Sequence, residues 1–293
     1  MKTLANNKNT PSVSVIISSS DGYRDCWDPF FKLFQLYFPV ELASEILLVT
    51  NAEEYSDPEL NIRTITTNNK NEKILPWGRR MSIALEQANS DVVMILFEDL
   101  FLRSAVNRQK LKELIHLIYQ HPEIGHIRLR TGPWRKEKSK FKDLDLIKRW
   151  TKYRVVMFPG LWRKEVLKKH LVLSELPWEL EILGTWRSGA LNDLFYSVSK
   201  DYLIKHGQIY NCTPAGGLIK GKWDERAVSD LFEKHQINVD YSLRGFYTPA
   251  ERKKGRRELR RKVLSNIPDI LNTILFIGVH LFFFQKRKKE KDI

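Results

Sequence analysis

Three short apolar runs, each ending in polar residues and each followed by a helical pattern, constrain this 293-residue chain more than any other feature. They are Val13-Ser-Val-Ile-Ile-Ser-Ser19, Glu45-Ile-Leu-Leu-Val-Thr-Asn51 and Asp91-Val-Val-Met-Ile-Leu-Phe97. A strand covered on both faces reads as a near-continuous apolar run rather than an alternating one. Between the first two, Asp28-Pro29 offers an N-cap and a first-turn proline to a helix carrying Phe30, Phe31, Leu33, Phe34, Tyr37 and Phe38. A weaker strand is predicted at Ile62 to Thr66, and helices at Trp77 to Ala88 and Asn107 to Gln120, the latter with Leu111, Leu114, Ile115 and Ile118 on one face. This βαβ rhythm predicts an α/β, doubly wound, mostly parallel sheet. Ligands of such sheets sit beyond the carboxyl ends of the strands, here Ser18 to Asp21, Asn51 and Glu98-Asp99.

The second half is less regular. Strands are predicted at Ile124 to Arg130, Tyr153 to Phe158, Asn192 to Ser199 and Gln208 to Cys212, and helices at Arg163 to His170 and Trp178 to Ser188. The boundaries expected are a polar, disordered N-terminus at 1–11, one domain at 12–248, and a tail at 249–293. Residues 12–105 would form the ligand-binding half and residues 120–245 the half that receives a second substrate. The N-terminal residues lack the apolar stretch of a signal peptide, so the domain is expected to remain cytoplasmic. Cys26 and Cys212 form neither a disulfide framework nor, with the scattered histidines, a zinc-ligand spacing.

Charge is concentrated. From Arg135 to Arg154 nine Lys/Arg oppose three Asp/Glu, and from Glu251 to Ile293 thirteen oppose five, so the two segments carry +6 and +8, the whole excess of +14. The 135–154 connection is expected to be a mobile basic loop. In the tail, Ile270 to Phe284 is an almost unbroken apolar run of fifteen residues between two basic clusters. It falls short of the ~20 residues that span a hydrocarbon core, and cations on both flanks prefer the same side. The pattern predicts a helix lying in the interface of an anionic membrane, peripheral or monotopic, on the cytoplasmic face of the inner membrane. A helix docked on the domain, followed by a solvated basic segment, is the alternative. Nucleic acid is not expected as a partner, because stacking platforms interleave aromatics with cations and here the two are segregated.

Glu98-Asp99 places two carboxylates at the ligand edge of the strongest strand, where a divalent metal could sit against a diphosphate. The same pair would also serve merely to solvate a strand terminus. The strand ends Val-Ser-Val-Ile-Ile-Ser-Ser-Ser-Asp21, Leu-Val-Thr-Asn51 and Val-Val-Met-Ile-Leu-Phe-Glu-Asp99 resemble those of GT-A glycosyltransferases, over about residues 12–245 and most closely in the first hundred. More narrowly, Gly160-Leu-Trp-Arg-Lys-Glu165 and Leu176-Pro-Trp-Glu-Leu-Glu181 resemble bacterial sugar transferases of polysaccharide, lipopolysaccharide or capsule synthesis. The resemblance implies a GT-A-like fold, a nucleotide-sugar donor, a glycan or lipid-linked acceptor, and an Asp-x-Asp-type motif. Here the motif reads Glu98-Asp99-Leu100, so manganese or magnesium at Asp99 is an open expectation.

Donor contacts are expected from Ser18, Ser20, Asp21, Asn51, Trp77, Arg80, Glu98, Asp99, Lys220 and Lys222, the last two in the loop Gly216-Gly-Leu-Ile-Lys-Gly-Lys-Trp223. Arg79 and Trp223 are further candidates. Transfer with inversion needs a carboxylate to take the acceptor hydroxyl's proton. Glu179, with Glu181 as alternate, is expected to do so, and Trp178 and Arg187 to hold the acceptor. Glu in a first helical turn is also an ordinary helix-starting choice. Two rival functions remain. A nucleotidyltransferase would need a Gly-rich N-terminal loop, where Ser18-Ser-Ser-Asp-Gly22 has one glycine. The other is a non-catalytic, membrane-bound glycan-binding or scaffold protein.

Overall fold

In the computed structural model, which describes residues 11–69, 72–132, 135–248 and 270–280, the first strand, β1 (Val13–Ser18), is buried along its whole length. Even its Ser14 hydroxyl is engaged, donating to Glu45 Oε1 at 2.6 Å. β2 (Ala43–Thr50) and β4 (Val92–Phe97) flank β1 in parallel, and β3 (Ile62–Thr66) extends the sheet in parallel beyond β2. The connecting helices cover opposite faces. The phenyl rings of α1 (Trp27–Tyr37) pack with Val15 and Ile17, whereas Met81, Ala84 and Leu85 of α2 (Trp77–Gln87) pack with Ile16, Leu47 and Val49. Alternate side chains of one strand thus enter two cores, which is why these strands read as unbroken apolar runs. α1 is capped two residues earlier than predicted: Cys26 precedes it without a side-chain cap, and Asp28 accepts the Tyr55 hydroxyl at 2.9 Å instead. α3 (Arg108–Gln120) starts where predicted, with the Asn107 side chain accepting from the Lys110 N–H at 3.0 Å.

The second half adds β5 (Ile124–Arg128), β6 (Lys136–Lys138), β7 (Leu144–Ile147), β8 (Gly160–Arg163) and β9 (Leu194–Val198). Among the described residues, the sheet has nine strands in the order β3-β2-β1-β4-β8-β5-β9-β7-β6, and only β7 and β8 run against the rest. The α/β, doubly wound expectation holds. Two strand predictions fail. Tyr153 to Phe158 is irregular because the Val155 and Met157 N–H groups donate to Thr185 Oγ1 and Glu181 Oε1, at 3.0 and 2.8 Å, rather than to a neighbouring strand. Gln208 to Cys212 makes one isolated bridge, Leu102 to Cys212. The 135–154 connection, expected as a mobile loop, contains the β6–β7 hairpin on the sheet's edge, braced by Lys136–Asp145 and Lys148–Glu137 ion pairs at 2.6 and 2.8 Å.

Three helical pieces follow β8: α4 (Lys164–His170), α5 (Pro177–Glu179) and, through a π-turn at Leu180–Gly184, α6 (Thr185–Ala190). Then come α7 (Lys200–His206), the hairpin of β10 (Leu218–Ile219) and β11 (Lys222–Trp223), and α8 (Glu225–Lys234). In the tail, residues 270–280 are helical and Thr273 is fully buried, accepting from Arg187 Nη1 at 2.8 Å. This stretch therefore touches the domain, as the docked-helix alternative required. No described helix is long and apolar enough to cross a membrane. The expected disorder of the N-terminus and both basic clusters of the tail fall outside the described residues.

Candidate active site

β1 and β4 are neighbours, so the residues beyond their C-terminal ends share one floor. Glu98 follows β4 directly. It is 6% exposed, and its Oε2 has no hydrogen-bond partner among the described residues. Asp99 is gripped from behind: its carbonyl accepts the Gly217 N–H at 2.6 Å and the Thr213 hydroxyl at 2.9 Å. Its Oδ2 faces the Leu218 N–H at 3.4 Å. Gly216 lies against that carboxylate with φ +89°, and a Cβ there would overlap Oδ2, so the loop closes on Asp99 only with glycine. Burial, reinforced by Asp99, pushes the Glu98 carboxyl up to about 8, and burial pushes Asp99 up to about 6.

Two cations answer this pair. Arg80, in the first turn of α2, donates to the Ser19 carbonyl and to Asn51 Oδ1, and its charge acts on Glu98. Arg244 donates from Nε to Asp25 Oδ2 at 2.7 Å, also holds the Gly22 carbonyl, lies 4.9 Å over the Tyr23 ring, and acts on Glu98 as well. Sequence reasoning missed Arg244. It is a lone arginine in a loop, and only the fold carries it across to the start of the chain.

Other predicted donor contacts are structural. Ser18 and Trp77 are buried and bonded to each other, Nε1 to Oγ at 2.8 Å, which removes both from any ligand surface. Asp21 accepts the N–H groups of Asn51 and Ala52 at 2.9 and 3.0 Å, stapling the end of β1 to the loop after β2. Ser20 is half-buried at the rim, and Arg79 is exposed. Lys220 stands at the exposed tip of the β10–β11 hairpin, where φ of +52° at Lys220 and +78° at Gly221 fit a type I′ turn. Lys222 is half-buried on β11. Trp223 is fully buried against Phe101 and belongs to the core.

A second wall stands at the end of β5. Arg128 is buried, donating to the Tyr153 carbonyl at 2.6 Å while its Nε has no partner among the described residues. Arg130 lies 3.7 Å over the Phe158 ring. Both act on Glu181, which projects from the π-turn, is half-buried, and accepts the Met157 N–H at 2.8 Å. Burial raises the Glu181 carboxyl and the two arginines oppose that rise. Cys212 lies within electrostatic reach of both Arg130 and Asp99, so the two walls approach each other there.

Two assignments on this wall are corrected. Glu179 is buried and its Oε2 accepts the Leu176 N–H at 2.8 Å, capping its own helix, so the ordinary helix-starting role prevails over the catalytic one. Arg187 is 1% exposed and its two terminal nitrogens hold structure: both bind Glu175, at 2.7 and 2.6 Å, and Nη2 also holds the His170 carbonyl. It cannot reach an acceptor. Trp178 remains half-buried in the first turn of α5.

The donor set suits a divalent cation. Magnesium and manganese are commonly held by one or two carboxylates together with substrate phosphates, and Glu98 contributes a buried oxygen without a partner beside Asp99. Among the described residues no three His, Cys, Asp or Glu side chains converge, so no all-protein cage exists. Leu100 is packed into the apolar core and cannot replace the missing second acid.

No protein-family model matches the sequence, and neither does any curated protein. Solved structures are similar. One is residues 1-349 of S. aureus TarS, with 17% identity and a TM-score of 0.43 over 64% of this chain and 58% of that one. The chain therefore spans little more than half of that fragment; a further TarS crystal holds UDP-GlcNAc. The mannosyltransferase PcManGT of Pyrobaculum calidifontis, crystallised with GDP-Man and Mn2+, is similar at 12% identity and a TM-score of 0.46, over 92% of this chain and 74% of that one. A CMP-2-keto-3-deoxy-manno-octonic acid synthetase complexed with CTP shares 12% identity over 64% of this chain and 88% of that one, with a TM-score of 0.36.

Proposed function

We propose that this protein is a GT-A-type glycosyltransferase that moves a sugar from a nucleotide donor to a glycan or lipid-linked acceptor in bacterial cell-surface polysaccharide synthesis, lipopolysaccharide or capsule. One observation carries the reading: Glu98 is buried beside the half-buried Asp99 at the C-terminal edge of the sheet, with an oxygen that has no partner among the described residues and the charges of Arg80 and Arg244 acting on it. Residues 12–105 would hold the nucleotide and residues 120–245 the acceptor, with the 249–293 tail keeping the enzyme peripheral on the cytoplasmic face of the inner membrane.

The chemistry follows from where charge develops. As the bond between the anomeric carbon and the diphosphate breaks, negative charge grows on the departing phosphate. Arg80 and Arg244 are placed to face it. A divalent cation bound at Asp99 and Glu98 would supply further charge neutralisation. The acceptor oxygen attacks the anomeric carbon and gives its proton to Glu181. That carboxyl is held by one backbone N–H, is raised by burial and is still reachable, as a general base working near neutral pH should be. Glu179 positions this turn rather than reacting.

The test is direct. Incubation with a panel of nucleotide sugars and cell-envelope acceptors should release a nucleoside diphosphate, and donors should raise the melting temperature, more so with manganese. Pyrophosphate release from a nucleoside triphosphate and a sugar phosphate would instead identify a nucleotidyltransferase. Survival of cellular function in an Asp99→Asn, Glu181→Gln double variant would identify a non-catalytic scaffold.

A further inference from the structure

The tail helix at 270–280 is apolar on two sides, and Ile270, Phe276 and Ile277, half-buried, share the face of Thr273. Its buried side chain is a threonine, Thr273, seated on Arg187, while Leu271, Ile274, Leu275 and Val279 are 59, 58, 67 and 43% exposed. Those four lie at i, i+3, i+4 and i+8, one stripe of the helix. His280, by contrast, is half-buried, folded back on Phe276 and close enough to act on the buried His170. A helix in water turns one apolar stripe inward; this one also turns a second away from the protein.

The surface beside it has the same character. Trp186 on α6 is 42% exposed and lies three residues from Gly189, against which the half-exposed ring of Trp150 is packed so closely that a Cβ would overlap it. Trp186 and Gly189 lie one turn apart on α6, so Trp150 and Trp186 both belong to the exposed surface of this helix. Arg149, next to Trp150, holds the Gly189 carbonyl at 2.7 Å. Tyr153 is also half-exposed, and so are Leu173 and Leu176, which flank the Glu175 that binds Arg187.

We infer that the outer face of α6, with Trp150, Trp186 and the clasped helix 270–280, is one composite surface that seats the catalytic domain on an anionic lipid bilayer. It deepens the membrane reading above and rests on it. Charge selects this occupant: the segment 251–293 contains the apolar stripe and flanks it in the chain, the segment 135–154 carries Trp150, and the two hold the whole +14 excess. Tryptophan and tyrosine settle at the headgroup level, aliphatic side chains just below it, and cations against the phosphates. Arg187 is then a positioning residue, holding Thr273 so that the helix presents its apolar edge.

The experiment is co-sedimentation of the full chain with vesicles of equal phosphatidylglycerol and phosphatidylcholine, and with phosphatidylcholine alone. Wild type should bind the anionic vesicles in a salt-sensitive way. Ile274→Asp with Leu275→Asp, both exposed and so harmless to folding, should weaken binding by about a hundredfold, the effect of withholding two aliphatic side chains from lipid. Bromolipids should quench tryptophan fluorescence, and Trp186→Phe should reduce that quenching. The inference fails if the double variant binds as wild type does and no quenching occurs, while neutralising the 252–262 cations still abolishes binding; the tail would then anchor the protein without this face. It fails equally if the stripe proves to be a dimer contact, with the double variant monomeric and its vesicle binding intact. Absence of any wild-type binding to either vesicle would overturn the membrane reading itself.

Discussion

Two buried charge clusters in this molecule make opposite use of the same residue types. Around Arg187 the terminal guanidinium nitrogens meet Glu175, the His170 carbonyl and Thr273, and only Nε lacks an acceptor. At the end of β4, Glu98 is buried beside the half-buried Asp99, one Glu98 oxygen has no partner among the described residues, and both carboxyls are raised. Opposite charges that saturate one another hold a fold in place. Like charges buried without saturation are kept at a cost, and such sites are where ligands and protons are handled.

The largest effect should come from breaking the saturated cluster. Arg187→Met removes the guanidinium that both Glu175 carboxylate oxygens bind and should destabilise the protein by about 3–5 kcal/mol, read from urea denaturation. It should also release the 270–280 helix, giving fast amide exchange there. If activity were lost while stability and exchange stayed at wild-type values, Arg187 would be a ligand contact after all. Next in size, Asp99→Asn and Glu181→Gln should each lower the turnover of sugar transfer by about 10²–10³-fold, with little loss of stability. In the pH profile, the acid limb in wild type should lie above the ordinary carboxylate range, because burial raises Glu181, and Glu181→Gln should remove that limb. Glu179→Gln should instead lower stability by about 1 kcal/mol through a weakened cap.

The asymmetry between the clusters also explains what was legible in the sequence. Buried parallel strands announce themselves, so β1, β2 and β4 and the edge carrying Glu98 and Asp99 were read correctly from apolar runs alone. Ser18, Trp77 and Arg187 were misread because a polar residue near a strand end or helix start looks the same whether it faces a ligand or another side chain. Only the partner, Trp77 for Ser18 and Glu175 for Arg187, distinguishes the two, and the partners lie 59 and 12 residues away, outside any local pattern. Tyr153 to Phe158 failed as a strand for a related reason, since its N–H groups go to the side chains of a helix that follows. Arg244 acts on Glu98 across about half the chain, with no local signal.

A smaller effect tests the cost of the unsaturated pair. The unfolded chain releases the Glu98 proton near pH 4.5, whereas the folded protein retains it up to about 8. Across that window the native state binds more protons, so stability should fall as pH rises, opposite to a salt-bridged carboxylate. Glu98→Gln removes the titrating group and keeps the shape. It should leave stability nearly unchanged at pH 5 and raise it by about 1–2 kcal/mol at pH 8, measured as the urea midpoint of both proteins at both pH values. A variant less stable than wild type at pH 8 would mean that Arg80 and Arg244 already neutralise Glu98.

The smallest expected effect concerns how closely the second half of the chain is drawn onto this pair. Gly216 has φ +89°, and any Cβ there meets the Asp99 carboxylate. Gly216→Ala must therefore shift the loop or turn Asp99, at a cost of about 1 kcal/mol in backbone strain alone. The loop is fixed on both sides, by the Gly217 N–H on the Asp99 carbonyl and the Thr213 hydroxyl on the same atom, so the carboxylate is the part free to move. Turnover should then fall about tenfold while the apparent affinity for a nucleoside diphosphate changes less, because the diphosphate also meets Arg80 and Arg244. An equal loss in both would mean that the glycine loop contacts the nucleotide itself. Wild-type kinetics in a stable Gly216→Ala protein would remove Asp99 from the site.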